Sequence, residues 1–406
     1  MLKKLSDREP RPIRVMFLLT SMPIGGAETL LVNLVRRLDR NRIEPLIGCM
    51  KHKDVLGEML SDEIPVFADL ISHKFDIGVV GRLKRLFIEQ SVDAVITIGA
   101  GDKMFWGRLA AKRAKVPVIL SALHSTGWPD GVGRLNRMLT GITDGFIAVA
   151  RQHAQYQVEQ EKFPRQKVFL IPNGIDTDKF VFSPESRQRW RSELGIDSEA
   201  PVVGIVAALR SEKNHDLFLE SAKLVSSQMA DAQFVIAGDG PERPRLEALT
   251  REKGIEDRVH FIGSTQDVLG VLSMVDMFGL SSHNEASPVS IMEALSCQRP
   301  VVATDVGSID ESVLQGKTGY LVPRDDAQAM SQRWLEILGD KALAERLGRQ
   351  GREHIVANSS LDSMTQGYAS LVENLFARKT NRPVSELKGW VEWELDSSVV
   401  AVDQKG

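Results

Sequence analysis

Short apolar runs alternate along this chain with longer stretches in which apolar residues recur three and four positions apart. The runs predict buried strands and the stretches predict amphipathic helices; their alternation predicts parallel sheets covered by helices. In the first half the predicted strands are Val15 to Thr20, Pro45 to Met50, Ala94 to Ile98, Val116 to Leu120, Gly145 to Val149 and Val168 to Ile171. A second series falls at Val202 to Ala207, Phe234 to Ala237, Val259 to Ile262, Met277 to Leu280 and Val301 to Ala303. Two doubly wound α/β units in succession are therefore expected.

Between the two series, Asn173-Gly174-Ile175-Asp176 is a turn sequence and Ser183 to Arg191 a polar run, which puts the boundary near 175–185. The expected organisation is an N-terminal unit over 1–180, a C-terminal unit over 181–378 and a tail over 379–406. The tail opens on the linker-like Lys379-Thr380-Asn381-Arg382-Pro383 and carries Trp390 and Trp393 among charges. A length of 406 residues agrees, being too great for one ordinary core.

Composition narrows the class. Hydrophobic residues make up 43% and charged residues 26%, the balance of a globular protein rather than a disordered one. Cys49 and Cys297, the two cysteines, fall in different units, so no disulfide framework is expected and a reducing cytoplasm suits the chain. The first apolar run, Ile13 to Leu19, contains Arg14 and is too short for a signal core or a membrane span. Residues 1–180 carry 27 Lys and Arg against 20 Asp and Glu, net +7, whereas the remainder carries 24 against 34, net −10. Within the basic half, Arg82 to Phe87 and Arg108 to Lys115 mix cations with apolar residues at helical spacing. A solvated helix face has that pattern, and so does a helix lying on an anionic membrane surface.

Chemistry concentrates at predicted strand ends, where open α/β sheets bind ligands. Glu285-Ala-Ser-Pro-Val-Ser-Ile-Met-Glu293 places two carboxylates around a helix start, with Ser287 as the expected N-cap and Pro288 as the first helical residue. An ordinary capped amphipathic helix with two solvated glutamates reads the same way. The free N–H groups of such an end favour phosphate, and carboxylates beside them can grip sugar hydroxyls. Gly25 and Gly26 follow the first strand and open a helix, so backbone can approach an anion there or simply turn. Arg210 and Lys213 lie just past the strand Val202 to Ala207, Gly238 and Asp239 past Phe234 to Ala237, and His124 past Val116 to Leu120.

Gly307-Ser308-Ile309-Asp310-Glu311 reads as a turn opening another helix, and the run Ser281 to Pro323 (Glu, seven residues, Glu, then a small-residue helix end, a strand and this glycine turn) resembles the donor-site signature of the retaining glycosyltransferases of family four. The resemblance covers about residues 13–378 and implies the GT-B fold, two Rossmann-like domains facing a cleft, with the last helix crossing back onto the first. It implies that Glu285 holds hydroxyls of the transferred sugar, that Glu293 holds the ribose, and that N–H groups around Ser287, Pro288 and Val289 meet the phosphates. Gly25 and Gly26 then face the donor from the opposite domain, Lys213 stabilises the departing diphosphate, His124 lies near the transferred sugar, and Gly238 and Asp239 wall the cleft. One departure stands out. The family's arginine falls at Ala208 here, and Arg210 is its substitute, or a surface arginine.

There is no His and Cys cluster with metal spacing, no Asp-x-Asp pair where a cation would bridge a diphosphate, and no Gly-x-x-x-x-Gly-Lys run. Charge neutralisation is thus expected from protein groups, without metal or other cofactor. The expected partners are a nucleotide-sugar donor and a glycan or lipid-linked acceptor, with peripheral membrane contact through the basic half and no nucleic acid. Two rivals are a nucleotide-sugar epimerase of the same fold and a binding protein that has lost activity.

Overall fold

The structure is a computed structural model that describes residues 11–380, apart from 74–75, 100–101, 125–133 and 135. The expected tail, with Trp390 and Trp393, lies outside the described residues, as does Ser125 to Gly127 beside His124.

Two parallel sheets account for every described strand. The first contains β1 (Ile13–Leu19), β2 (Ile43–Cys49), β3 (Val66–Phe67), β4 (Ala94–Ile98), β5 (Val118–Ala122), β6 (Gly145–Ala148) and β7 (Val168–Leu170), in the order β3-β2-β1-β4-β5-β6-β7. The second contains β8 (Val202–Val206), β9 (Gln233–Ala237), β10 (Val259–Gly263), β11 (Met277–Leu280), β12 (Val301–Thr304) and β13 (Gly319–Val322), in the order β10-β9-β8-β11-β12-β13. Each reverses direction of winding once, at β1/β4 and at β8/β11. The GT-B expectation of two Rossmann-like sheets holds.

Central strands are buried on both faces and read as continuous apolar runs, for example the five buried residues of β4 and of β5. That continuity made them legible. The two strands missed by the sequence reading are β3, only two residues long, and β13, which begins at Gly319. A side chain at Gly319 would overlap the Val301 carbonyl, so glycine is needed for β13 to lie against β12. β5 begins two residues later than expected, at Val118, which leaves His124 two residues beyond its end.

Two cores result. Around the second sheet, Phe218, Phe234 and Trp334 meet edge-on or tilted with ring centroids 5.0–6.5 Å apart, all fully buried. Around the first, Leu30, Leu31, Leu34 and Val35 of the helix Gly26–Arg37 pack with Met364, Tyr368, Leu371 and Phe376 of the final helix Leu361–Thr380. The final helix is thus bound to the first sheet, helped by Arg42–Glu373 at 2.6 Å and Lys379–Asp144 at 2.5 Å.

The chain crosses between the sheets twice, and the crossings touch. Ile175 donates its N–H to Ser359 and accepts from Leu361, at 2.9 and 3.0 Å. A side chain on Gly174 would overlap the Ser360 carbonyl, so this contact requires glycine.

Candidate active site

Lys213 and Glu285 belong to loops leaving β8 and β11, the two strands at the switch point of the second sheet. Lys213 Nζ donates to Glu285 Oε1 at 2.6 Å, and Ser282 Oγ donates to the same oxygen at 2.7 Å. Ser281 Oγ donates to the Lys213 carbonyl at 3.0 Å, and Thr304 Oγ1 at the end of β12 donates to the Ser282 carbonyl at 2.6 Å. Ser281, Ser282 and Thr304 are fully buried. Three strand ends are therefore bonded into one frame around a charged pair whose carboxylate is 9% exposed.

Gly307 completes the frame. It sits at φ +54°, in the left-handed region, and a Cβ there would overlap the Glu285 carbonyl oxygen. The turn expected at Gly307 is present, but the helix expected after it is a single 3-10 turn, Ile309–Glu311.

The helix after Glu285 spans Val289–Ser296. Its N-cap is Pro288, not Ser287, and no side chain caps it. Pro288 has φ −72°, which suits a first helical residue, but ψ 116°, which is extended. Having no N–H, Pro288 cannot meet a phosphate. The free donors are the amides of Val289 and Ser290, in the first turn. The Ser287 carbonyl instead accepts from Asn173 Nδ2 at 3.2 Å, a bond from the segment that follows the first sheet. Glu293 lies one turn further in and is 7% exposed. Burial pushes its pKa up to about 8, offset only in part by the charge of Lys179.

Gly238 has φ +143°, and a Cβ on it would overlap the Ala207 carbonyl, so the loops after β8 and β9 lie in contact. Asp239 fixes that contact by accepting Leu209 N–H at its carbonyl, 3.0 Å, while its Oδ1 takes Gly240 N–H at 2.7 Å.

Arg210 is not joined to the Lys213–Glu285 pair. Its side chain is 63% exposed, 4.0 Å from Glu212, and lines a cavity of about 230 Å³ with Asn214, His215, Glu242 and Arg245. Its charge is nevertheless felt by Glu28, in the first turn of the helix Gly26–Arg37 that follows β1. Glu28 is desolvated, which raises its pKa; its own backbone N–H and Arg210 pull the other way.

From the first sheet, Gly26 reaches the helix at Val289, whose Cγ2 would lie 3.9 Å from a Cβ on that glycine. The Gly25-Gly26 segment therefore lies next to the start of that helix, across from the second sheet. His124 is desolvated, which brings its pKa down to about 4, so its imidazole is neutral at physiological pH. His153 is desolvated too, and His124 stands close enough to disfavour charge on it further. His153 Nδ1 accepts Val149 N–H at 3.3 Å.

Ser281, Ser282, Thr304 and Asn173 were not expected at the site from sequence, where the local signals were a serine pair at a strand end and the turn sequence at Asn173.

Among the described residues no group of three or more His, Cys, Asp or Glu side chains could hold a metal ion. Nor is any described helix long and apolar enough to cross a membrane.

Comparison with known proteins bears on this geometry. Residues 24–179 match the model described as Glycosyltransferase Family 4, and residues 186–354 the model described as Glycosyl transferases group 1. The alpha-D-kanosaminyltransferase of Streptomyces kanamyceticus is 31% identical over 295 residues, 68% of this chain and 75% of that protein. The GDP-mannose-dependent alpha-(1-6)-phosphatidylinositol monomannoside mannosyltransferase of Mycolicibacterium smegmatis is 26% identical over 315 residues, 75% of this chain and 81% of that one. In three dimensions, Anabaena Alr3699/HepE, solved in complex with UDP-glucose, superposes with a TM-score of 0.79 at 20% identity over 89% of this chain and 100% of that chain.

Proposed function

The chain belongs to the glycosyltransferases of family four, and on that premise we propose a division of labour for its transfer of a sugar from a nucleotide-sugar donor. The second sheet takes the donor and the first the acceptor. The observation that carries this reading is the Lys213–Glu285 pair beside the open end of the helix Val289–Ser296.

Removing one member of a buried pair leaves the other's charge uncompensated, at a cost of about 3–5 kcal/mol. A nucleotide sugar satisfies both at once. Its diphosphate takes Lys213 Nζ and the amides of Val289 and Ser290, while hydroxyls of the sugar take Glu285. As the bond to the anomeric carbon breaks, negative charge grows on the diphosphate, where a cation and helix donors already point. Glu293 meets the ribose as a hydroxyl-bearing acid rather than an anion, given its raised pKa. Neutral His124 faces the sugar from the first sheet, and Gly238 and Asp239 bound the donor side. The acceptor attacks from the face the diphosphate leaves, with retention at the anomeric centre. These groups neutralise the leaving group without a metal, so transfer persists in EDTA.

The acceptor we favour is a surface glycan or its lipid-linked precursor, reached at the cytoplasmic face of a membrane. Lys84, Arg85 and Ile88 on the helix Val79–Glu89 and Lys112, Arg113 and Lys115 at and just after the end of Asp102–Ala114 are exposed on adjoining helices and suit an anionic surface. Arg108 does not contribute: it is fully buried, bonded to Asn136 and Thr143. Failure to bind anionic vesicles at low salt removes the membrane part of this reading.

A thermal-shift panel of UDP, GDP, ADP and dTDP tests the donor side, since a ligand held only by the folded state raises Tm. One diphosphate should stand out, and its release on adding acceptor should vanish in Glu285→Ala and Lys213→Ala. Intact turnover in both variants refutes the assignment.

A further inference from the structure

The helix Arg151–Glu159 follows β6 of the first sheet and has Ala150 at its N-cap, with no side chain of its own to cap it. The cap comes from the second sheet. Glu311 Oε1 accepts the N–H of Arg151 at 2.7 Å and of Gln152 at 3.3 Å, and Gln152 Nε2 donates to Asp310 Oδ2 at 2.8 Å. A carboxylate at a helix N-terminus satisfies orphan donors and complements the dipole. Here it joins elements 160 residues apart in sequence.

Both ends of this bridge are tied to the site. Glu311 closes the 3-10 turn that Gly307 opens, and Gly307 is pressed against the Glu285 backbone. The Glu311 carbonyl is itself held by His354 Nε2 at 2.9 Å. On the other side, His153 of the capped helix neighbours His124. Val289, at the start of the helix that follows Glu285, meanwhile packs against both cores and lies next to Gly26, a further contact between the two units. The paired crossings at Ile175 and Ser359 to Leu361 stay joined without Glu311, which leaves its cap as a separable contact on the cleft side.

We propose that Glu311 is a positioning residue, a latch whose capping of the helix Arg151–Glu159 sets the closed arrangement in which His124 and Glu285 face one another. This rests on the reading of the cleft as the reaction site. Its burial raises the Glu311 pKa, and the two N–H bonds offset that in part, as expected of a carboxylate held for contact rather than left in solvent.

The test uses the full chain with spin labels at K84C and K341C, exposed positions on the two sheets' helices; Cys49 and Cys297 are buried. The unsubstituted latch should give one narrow distance. In Glu311→Ala a longer distance should appear, with the open-to-closed ratio raised about fivefold, the factor that loss of a typical cap corresponds to. Glu311→Gln, which keeps an acceptor oxygen, should recover most of the short distance, and Gln152→Ala should shift it the same way by less. Turnover in Glu311→Ala should fall by a similar factor while affinity for the diphosphate found in the thermal-shift panel stays within about twofold. Superposed distance distributions for Glu311→Ala and the parent overturn the proposal; so does a parallel loss of diphosphate affinity, which would place Glu311 in the donor pocket. Should Glu285→Ala keep its turnover, the active-site assignment falls while the distance measurement still decides the latch.

Discussion

The two sides of the cleft are built differently. On the second sheet, Lys213, Glu285, Ser281, Ser282 and Thr304 are bonded to one another across the ends of three strands, and Gly307 closes the frame from behind. On the first sheet, His124 and the Gly25-Gly26 loop rely on burial and on a few contacts that cross the cleft, such as Asn173 with Ser287. On the division of labour proposed above, the donor side is preorganised within one unit, whereas the acceptor side would acquire its geometry by being brought up to it. Such an arrangement puts electrostatic stabilisation where leaving-group charge develops and leaves adaptability where acceptors enter.

The comparison breaks most readily at the charged pair. Lys213→Ala and Glu285→Ala should each lower kcat by about 10²–10³, the range for losing a preorganised group that meets developing charge. Because the residues act as a unit, the double variant should lose little more than either single one. Multiplicative losses, measured by steady-state release of nucleoside diphosphate, would mean that the two sides of the pair serve different steps.

Gly307→Ala attacks the same frame without touching a charge. The left-handed φ and the overlap with the Glu285 carbonyl together should cost about 3 kcal/mol, read as a lower midpoint in urea. Activity should fall further than stability accounts for under folded conditions, since Glu285 is carried on the displaced backbone. A stable, fully active Gly307→Ala would show that the frame tolerates movement.

What sequence made legible follows the same divide. Strands buried on both faces declare themselves as apolar runs, and charged residues just past their ends declare Lys213 and Glu285. Ser282 and Thr304 did not: Thr304 matters through a partner 22 residues away that only the sheet order brings near, and Ser282 matters through the fold of the loop that turns it onto Glu285, three residues on. Pro288 shows the finer limit. Its ring fixes φ, which permits a cap and a first helical residue alike, and ψ, set by the loop from Glu285, decided for the cap. Ile309–Glu311 was overread as a longer helix because its apolar follow-on, Val313, packs in the second core without helical continuation.

Glu293 separates stability from catalysis on the donor side. Its folded pKa of about 8 lies above the ordinary carboxylate value of 4.5, so between those limits the folded state holds a proton that the unfolded state has released. Stability from this group is therefore lost as pH rises from about 4.5 to about 8 and is level above that. Thermal melts should show Tm of the parent falling relative to Glu293→Gln across that window, by an amount worth a few kcal/mol at most. Equal slopes for the two proteins would mean that Glu293 is ionised when folded, and that it meets the ribose as an anion.

Arg210 should give the smallest effect and sharpens the comparison most finely. It stands two residues beyond Ala208, its side chain is 63% exposed, and its charge only offsets part of the desolvation that raises the pKa of Glu28. Screening by solvent keeps such a charge weak. Arg210→Ala should thus reduce kcat/KM about two- to fivefold, with most of the change at low salt and little at high salt. Ala208→Arg would put a guanidinium at the position where the family resemblance expects one, a position that is itself partly buried. If the donor frame is complete as it stands, that variant gains nothing and is hindered by the contact between the loops after β8 and β9. A rise in kcat for Ala208→Arg would instead show that Lys213 and the helix amides leave part of the leaving group's charge unmet, and that the preorganised side is the one still open to improvement.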